Sequence, residues 1–501
     1  ALTKASEQVI LTYSVMTSKG ESKRPSYLIN RVKQVFPKLV VEKEEMDTSY
    51  EKIMGSDKGK SYLISHLADG TYAKDVIWWE IASHYEKKTP GILKDLLRIR
   101  EKRAGNNSLK KEAAKRLFGD VLYGSVTRFE QYVQCPFAFF AHYGLLLNER
   151  QQYEISSLDH GNLFHQAMEH LSHELEQRNK NWQDLSEEEA VLLASECVDA
   201  VAERYQGRKY FQSNRVSFML KRLKNEVVHS VWAMWHQMQE GDFVQTYTEK
   251  GFRGNDKEWE SMCIPFGEDA KICLNGVIDR VDLCSLPGEE LIKIIDYKSS
   301  DSQDLLLAKV YYGLQMQLLT YLEAAKEMVE KEHKGKEAVP AAMLYYAIKE
   351  KNLDWKPESE EEYEKRVLDS MKCKGYVNEE PEIIGHLDKS VVNGGELIPG
   401  QKSGVVPVAV DKKGLLKKNS GTLSTKDFET LIAHTKEKMK ECGKAILDGK
   451  IEAIPYVYED NDGCTYCPYG SVCGHESKKD GVREMKKMSD DEVWEALYGD
   501  D

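Results

Sequence analysis

Residues 276–300 read GVIDRVDLCSLPGEELIKIIDYKSS. Two apolar runs, Cys273–Ile278 and Leu291–Ile295, each lead into a carboxylate, Asp279 and Asp296. Pro287-Gly288 between them is a turn signal, so the pair predicts a β-hairpin. Asp296 and Lys298 are two apart on one strand and point to the same face. Two carboxylates and an ammonium on one dry patch are costly unless a divalent cation sits between the carboxylates. A hard, oxygen-ligated cation with a nearby lysine is the equipment for phosphodiester hydrolysis. A plainer reading makes Asp279-Arg280-Val281-Asp282 a surface ion-pair run and Asp296-Tyr297-Lys298 an exposed strand end. Both stay open on these residues alone.

Composition sets wide bounds. The chain has 501 residues, which at roughly 150 residues per domain suggests two to four domains. It is 41% hydrophobic and 31% charged, as soluble globular proteins are. No apolar run approaches the ~18 residues of a membrane span. The opening Ala1-Leu2-Thr3-Lys4 is no signal peptide and lacks an initiator Met, so a fragment is expected. The net charge of −13 argues at face value against nucleic acid, but binding uses local patches. Ten cysteines without a secretory signal suggest a reducing, cytoplasmic compartment.

Strands are expected near 244–250, 262–267, 271–279, 291–298 and 341–348, with helices on both sides. That is an α/β core with a mixed sheet flanked by helices. Upstream, Gly161–Glu169 opens a long helix on which His165 and Glu169 share a face. Alone, His165 reads as a packed or solvated residue; near a carboxylate hairpin it is a candidate imidazole ligand. Downstream, Tyr311–Tyr321 reads as a helix with Gln317 and Tyr321 on one face, equally the pattern of a plain amphipathic helix.

The flanks are less specific. Gln8–Ser14 reads as a strand and the segment after Arg24-Pro25-Ser26 as a helix. Residues 41–120 look helical, with Trp78-Trp79 marking a buried face. Lys94–Arg116 carries nine Lys/Arg against three Asp/Glu, a phosphate-contacting run or a solvated face. Gly119–Ser125 is linker-like, so a boundary is placed near residue 120; Ser125 then caps a short helix ending near Cys135. Residues 204–224 interleave seven Lys/Arg with Tyr205, Tyr210, Phe211 and Phe218, with no acid between. That suits a single-strand groove or an amphipathic helix with core aromatics. Residues 351–383 look acidic and helical, Val405–Val410 a strand, and Leu423–Leu447 a helix with Ser424 near its start. The tail 478–501 reads as a loose charged helix.

Cys464-x2-Cys467-x5-Cys473 places three thiols in ten turn-rich residues, a strong metal signal. Cys135 is the best candidate for a fourth ligand. The other six, Cys197, Cys263, Cys273, Cys284, Cys373 and Cys442, read as small apolar residues. Zinc and an iron–sulfur cluster both accept four thiolates, and spacing does not choose between them.

In this order, Gly161-x3-His165, Gly276-x2-Asp279, Asp296-x-Lys298 and Gln317-x3-Tyr321 resemble the RecB-like branch of the PD-(D/E)XK nucleases. Cys135 ahead of them and Cys464, Cys467 and Cys473 behind resemble the branch's iron–sulfur "staple" variant. The combination resembles the C-terminal part of the B-subunit family of bacterial AddAB-type helicase–nucleases. Leu11-Thr12-Tyr13-Ser14 and Arg24-Pro25-Ser26 resemble the end of its helicase-like region. The resemblance implies a restriction-endonuclease-like fold, with 1–120 the end of that region, 121–480 the nuclease domain and 481–501 a charged tail. It implies that His165, Asp279, Asp296 and the Tyr297 carbonyl ligate Mg²⁺, that Lys298 activates water, and that Gln317 and Tyr321 support the site. It implies a [4Fe–4S] cluster on Cys135, Cys464, Cys467 and Cys473, DNA as substrate, and a heterodimeric, AddA-like helicase–nuclease partner. No G-x4-G-K-[ST] sequence occurs, so no ATP hydrolysis is expected of this chain. The competing expectation is a non-catalytic DNA-binding scaffold with structural zinc.

Overall fold

A computed structural model describes residues 6–15, 22–41, 56–69, 76–103, 108–148, 157–206, 214–253, 259–267, 270–298, 304–348, 353, 356, 359–475 and 481–499. They form two compact units, Ala1–Gly105 and Asn106–Asp501. The division falls ahead of residue 120 because the helix Lys111–Phe118 packs with the second unit, where Lys111 reaches Asp448 at 2.7 Å.

The first unit holds helices Tyr27–Val35, Ser56–Asp69, Val76–Lys88 and Ile92–Arg103. Ser26 caps the first of them, accepting from Leu28 N at 3.4 Å. A small core gathers Leu63, Leu67, Trp78, Ala82 and Tyr85. Trp78 is buried and donates Nε1 to Leu63 O at 2.9 Å, whereas Trp79 is half exposed, so only one of the pair marks the buried face. Gln8–Ser14 is not a strand: it is exposed and pairs with no strand among the described residues. β-rich residues without a ladder partner do not make a sheet.

In the second unit β1 (Val121–Gly124) leads into α1 (Val126–Gln134), then α2 (Ser157–Gln177), α3 (Glu187–Gln206) and α4 (Asn214–Gln239). Strands β2 (Val244–Gly251), β3 (Met262–Pro265), β4 (Lys271–Leu274), β5 (Val277–Ser285) and β6 (Glu289–Lys298) follow. Then come α5 (Gln317–Glu332), β7 (Glu337–Ala347), β8 (Lys374–Asn378) and α6 (Thr425–Leu447). The main sheet runs Thr422–Leu423, β8, β7, β6, β5, β2. It is mixed: β6 lies parallel to β7 and antiparallel to β5. The predicted hairpin is β5–β6, and Gly288 takes φ +87° in its turn, where a side chain would be strained. Two cores cover the two faces of this sheet. One holds Ile292 and Ile294 with α5 and α6; the other holds Leu291, Ile295 and Tyr297 with α2, α3 and α4. Burial on both faces explains why β6 is apolar at Leu291, Ile292, Ile294 and Ile295, with Lys293 between them paired to Asp282.

Other expectations change. The stretch 271–279 is two strands, broken at Asn275-Gly276. β4 joins β1 and β3 in a separate sheet, while β5 continues past Asp279 to Ser285. Gly276 makes that crossing possible, since a Cβ there would meet the Phe252 ring at 2.8 Å and Tyr321 at 3.2 Å. Gly119–Ser125 is no linker, because β1 pairs in parallel with Lys271–Leu274. Residues 374–378, expected helical, form β8 of the main sheet. Val405–Val410 makes only isolated bridges, Lys402 with Ala409 and Val410 with Leu416. The tail is not loose: Ser489 caps the helix Asp490–Tyr498, and its Val493 is fully buried in the main core. Cys263 and Cys273, expected to be free, face each other across the β3–β4 ladder as a disulfide. Along 204–224, Arg208, Lys209, Tyr210 and Phe211 lie outside the described residues. Of the described remainder, residues 204–206 end α3 and residues 214–224 open α4, with Phe218 exposed and Lys224 held by Asp199 at 2.6 Å.

Candidate active site

The period of two sorts the charges of the hairpin onto two faces. Asp279, Asp296 and Lys298 share the α5 side; Arg280, Asp282 and Lys293 share the other. Arg280 pairs with Ile295 across the ladder, so the next step sets Asp279 opposite Asp296. Both carboxylates are buried, at 8% and 1% exposure. Asp279 Oδ2 accepts from Tyr297 N at 2.7 Å. Asp296 Oδ2 lies 2.6 Å from Lys298 Nζ but accepts no well-aligned hydrogen bond. Lys298 Nζ donates to Gln317 Oε1 at 3.0 Å, and Gln317 Nε2 donates to Tyr321 Oη at 3.0 Å. The Gln317/Tyr321 face of α5 is thus turned onto the hairpin.

From the opposite layer, α2 brings His165 to 3.6 Å from Asp279 Oδ1. Its nearest partner is Glu249 of β2, at 2.7 Å. Glu169, on the same helix, is exposed and takes no part. Glu249 is the residue that sequence reading missed. Among the described residues, His165, Glu249 and Asp279 are the set whose ligand atoms lie within 4.8 Å of one another. All six expected catalytic residues therefore gather at one end of β5–β6, with Glu249 added. Tyr297 offers its amide to Asp279, while its ring points to the other face, against Phe164.

The electrostatics show what the site wants. Burial first, and the Asp296 charge second, push Asp279 well above the carboxylate range. Burial also raises Asp296, although Lys298 pulls the other way. Burial would depress His165, but the Glu249 hydrogen bond and the Asp279 charge carry it up to about 9. Three carboxylates crowded together and incompletely compensated fit a divalent cation, which would favour their charged forms.

On the reverse face Asp282 is a buried ion-pair partner, not part of a surface run. Arg280 Nε reaches it at 2.7 Å and Lys293 Nζ at 2.8 Å, all three buried. Burial alone would raise Asp282, yet the two cations hold it below the usual carboxylate range.

The cysteines form a second locus. Cys135 closes α1 and is buried with Ala138, Ala141 and Tyr469. Tyr469 Oη donates to Leu147 O at 3.0 Å and meets His142 Nδ1 at 2.8 Å. Arg483 Nη2 donates to Val133 O and Gln134 O, drawing the C-terminal loop onto the end of α1. Asp462 Oδ1 accepts from Cys464 N and Thr465 N at 2.9 and 2.6 Å, and His475 N donates to Cys473 Sγ at 3.3 Å. Burial raises Cys135, as do the Cys467 and Cys473 thiols; burial, Asp462 and the neighbouring thiols push Cys464 up to about 11. A cationic centre would reverse these shifts by deprotonating the thiols.

A mixed sheet with this carboxylate–lysine edge defines a class. The chain belongs to the PD-(D/E)XK nuclease superfamily, whose family model matches residues 124–474. Along its length it is similar to proteins named as the B subunits of ATP-dependent helicase/deoxyribonucleases. With that of Lachnoclostridium phytofermentans it shares 34% identity over 510 residues, covering 100% of this chain and 42% of the relative. With that of Clostridium perfringens strain 13 the figures are 31% over 519 residues, 99% and 43%. With that of Alkaliphilus oremlandii they are 28% over 507 residues, 99% and 43%. The chain therefore spans about two fifths of the length of the curated relatives it matches.

Proposed function

We propose that this chain is the Mg²⁺-dependent nuclease module of an AddAB-type helicase–nuclease. It would act as an exonuclease on single strands and duplex ends of DNA during double-strand break processing and recombinational repair. The observation that carries the reading is the convergence of Asp279, Asp296 and Lys298 with His165 and Glu249 at one buried edge. The buried Asp296 Oδ2 without a well-aligned donor supports a cation among these groups. His165, Asp279 and Asp296 would hold Mg²⁺, with Glu249 and the Tyr297 carbonyl beside it. When bound, Mg²⁺ screens the phosphodiester charge and lowers the pKa of water.

The chain's own residues do the rest. Lys298 sits where it can orient the attacking water and stabilise charge building on the phosphate. Gln317 holds the Lys298 ammonium, and Tyr321 holds Gln317. The apolar packing around β6 keeps the electrostatics strong by excluding water.

Cys135, Cys464, Cys467 and Cys473 would hold a [4Fe–4S] cluster. Zinc and an iron–sulfur cluster both accept four thiolates, and iron and sulfide analysis of anaerobically purified protein separates the two. The cluster would tie the start of the nuclease domain to its end, a structural rather than redox task. The relatives are named as B subunits, which supports a partner, expected to be the motor-bearing, AddA-like chain of a heterodimer.

The test is cleavage of single-stranded DNA with Mg²⁺ by the full chain, repeated with the motor-bearing partner present. Asp296→Ala or Lys298→Ala should remove about 10²–10³-fold of the rate. Undiminished cleavage by either variant would sink the reading.

A further inference from the structure

The lysine at the centre of the site is a flexible four-carbon stem, and something must hold its head in place. Gln317 does so, and Gln317 is the first residue of α5. The N-cap of that helix, Met316, provides no side-chain cap of its own. Uncapped first-turn amides leave a helix start loose. Here the acceptor comes from another helix: Glu130 of α1 takes the Met316 amide on Oε1 at 2.6 Å, and the Gln317 amide helps to stabilise the same carboxylate. The same carboxylate lies close enough to Lys298 and Asp296 to feel both charges. Five residues on, α1 ends at Cys135.

We propose that Glu130 is a positioning residue of the nuclease site: it anchors the first turn of α5 and, through Gln317, fixes the Lys298 ammonium beside Asp296. The inference rests on the nuclease reading above. Nothing in Glu130 need touch the DNA. Its contribution is the reach of one carboxylate across two helices, so reach should matter more than charge.

The experiment measures kcat and KM of the full chain for single-stranded DNA with Mg²⁺. Glu130→Ala should lower kcat about tenfold or more with KM within about twofold. Gln317→Ala should do the same, and the double variant should be no worse than the poorer single, because the two act in series. Glu130→Gln, which keeps the reach and an acceptor oxygen, should stay within about threefold of the parent, whereas Glu130→Asp should fall with Ala. Wild-type kcat in Glu130→Ala, or losses that multiply in the double variant, would overturn the proposal. Should Glu130→Ala not fold, the Asp and Gln variants decide: an Asp variant as active as the parent, or a Gln variant impaired about tenfold, overturns it. Lys298→Ala runs beside them. If it too cleaves normally, the nuclease reading fails; if it alone is dead, only the role of Glu130 fails.

Discussion

At the residue scale the site is a balance of charges that the chain does not neutralise by itself. His165 gains its raised pKa from Glu249 and Asp279, and the sign of the consequence follows. Stability from the charged imidazole is complete below the ordinary value of 6.5 and drains away as pH rises through about 9. The magnitude is on the order of 2–3 kcal/mol. In EDTA the thermal midpoint should therefore fall between pH 6.5 and about 9.5 more steeply for the parent than for His165→Gln. With Mg²⁺ the dependence should invert, because ligation needs the neutral ring and affinity rises with pH. Equal slopes for the two proteins would refute the His165–Glu249 pairing. On the reverse face, Asp282→Ala strands Arg280 and Lys293 as buried, uncompensated cations and should cost about 3–5 kcal/mol in urea unfolding. Asp279, Asp296 and Lys298 were legible from two apolar runs and the strand period, whereas His165 was singled out only by the hairpin and the resemblance. Glu249 was not: Tyr247-Thr248-Glu249-Lys250 is an unremarkable polar strand, and only the pairing of β2 with β5 brings it to His165.

At the scale of elements, two devices hold the site. The first is the β5–β6 hairpin, readable from two apolar runs and a Pro-Gly turn. The second is the junction of α1 with the cysteine loop, where Cys135 and Cys464 stand more than 300 residues apart in sequence. The proposed cluster would tie so long a loop, worth roughly 6 kcal/mol by chain entropy. Cys464→Ser should thus lower the urea midpoint of anaerobically purified protein and abolish its visible absorption and bound iron. A colourless parent carrying zinc and no iron would reject the cluster. The elements that escaped sequence reading are short: β8 and Thr422–Leu423 have too few residues for a period, and β8 is placed by β7 and Thr422–Leu423 by β8. The Cys263–Cys273 pairing is a matter of ladder register, which residue types do not announce.

At the scale of the molecule, the fold separates holding from chemistry. One core seats α5 and its Gln317–Tyr321 face, the other seats α2 and its His165, and the sheet between them carries the carboxylates to a common edge. No described helix is long and apolar enough to cross a membrane. The net charge of −13 did not forecast the class, because the site is a local arrangement inside an acidic chain. The helices of the first unit form a compact body of their own, and that they end a helicase-like region is an expectation carried by the resemblance alone.

The central claim is that the buried edge hydrolyses DNA with a divalent cation, and its most direct test is the rate of single-strand cleavage against Mg²⁺ concentration for the full chain and for Asp279→Asn. The account predicts saturable, Mg²⁺-dependent cleavage that EDTA stops and that Asp279→Asn lowers about 10²–10³-fold. Cleavage that persists in EDTA, or proceeds equally in the variant, would contradict it.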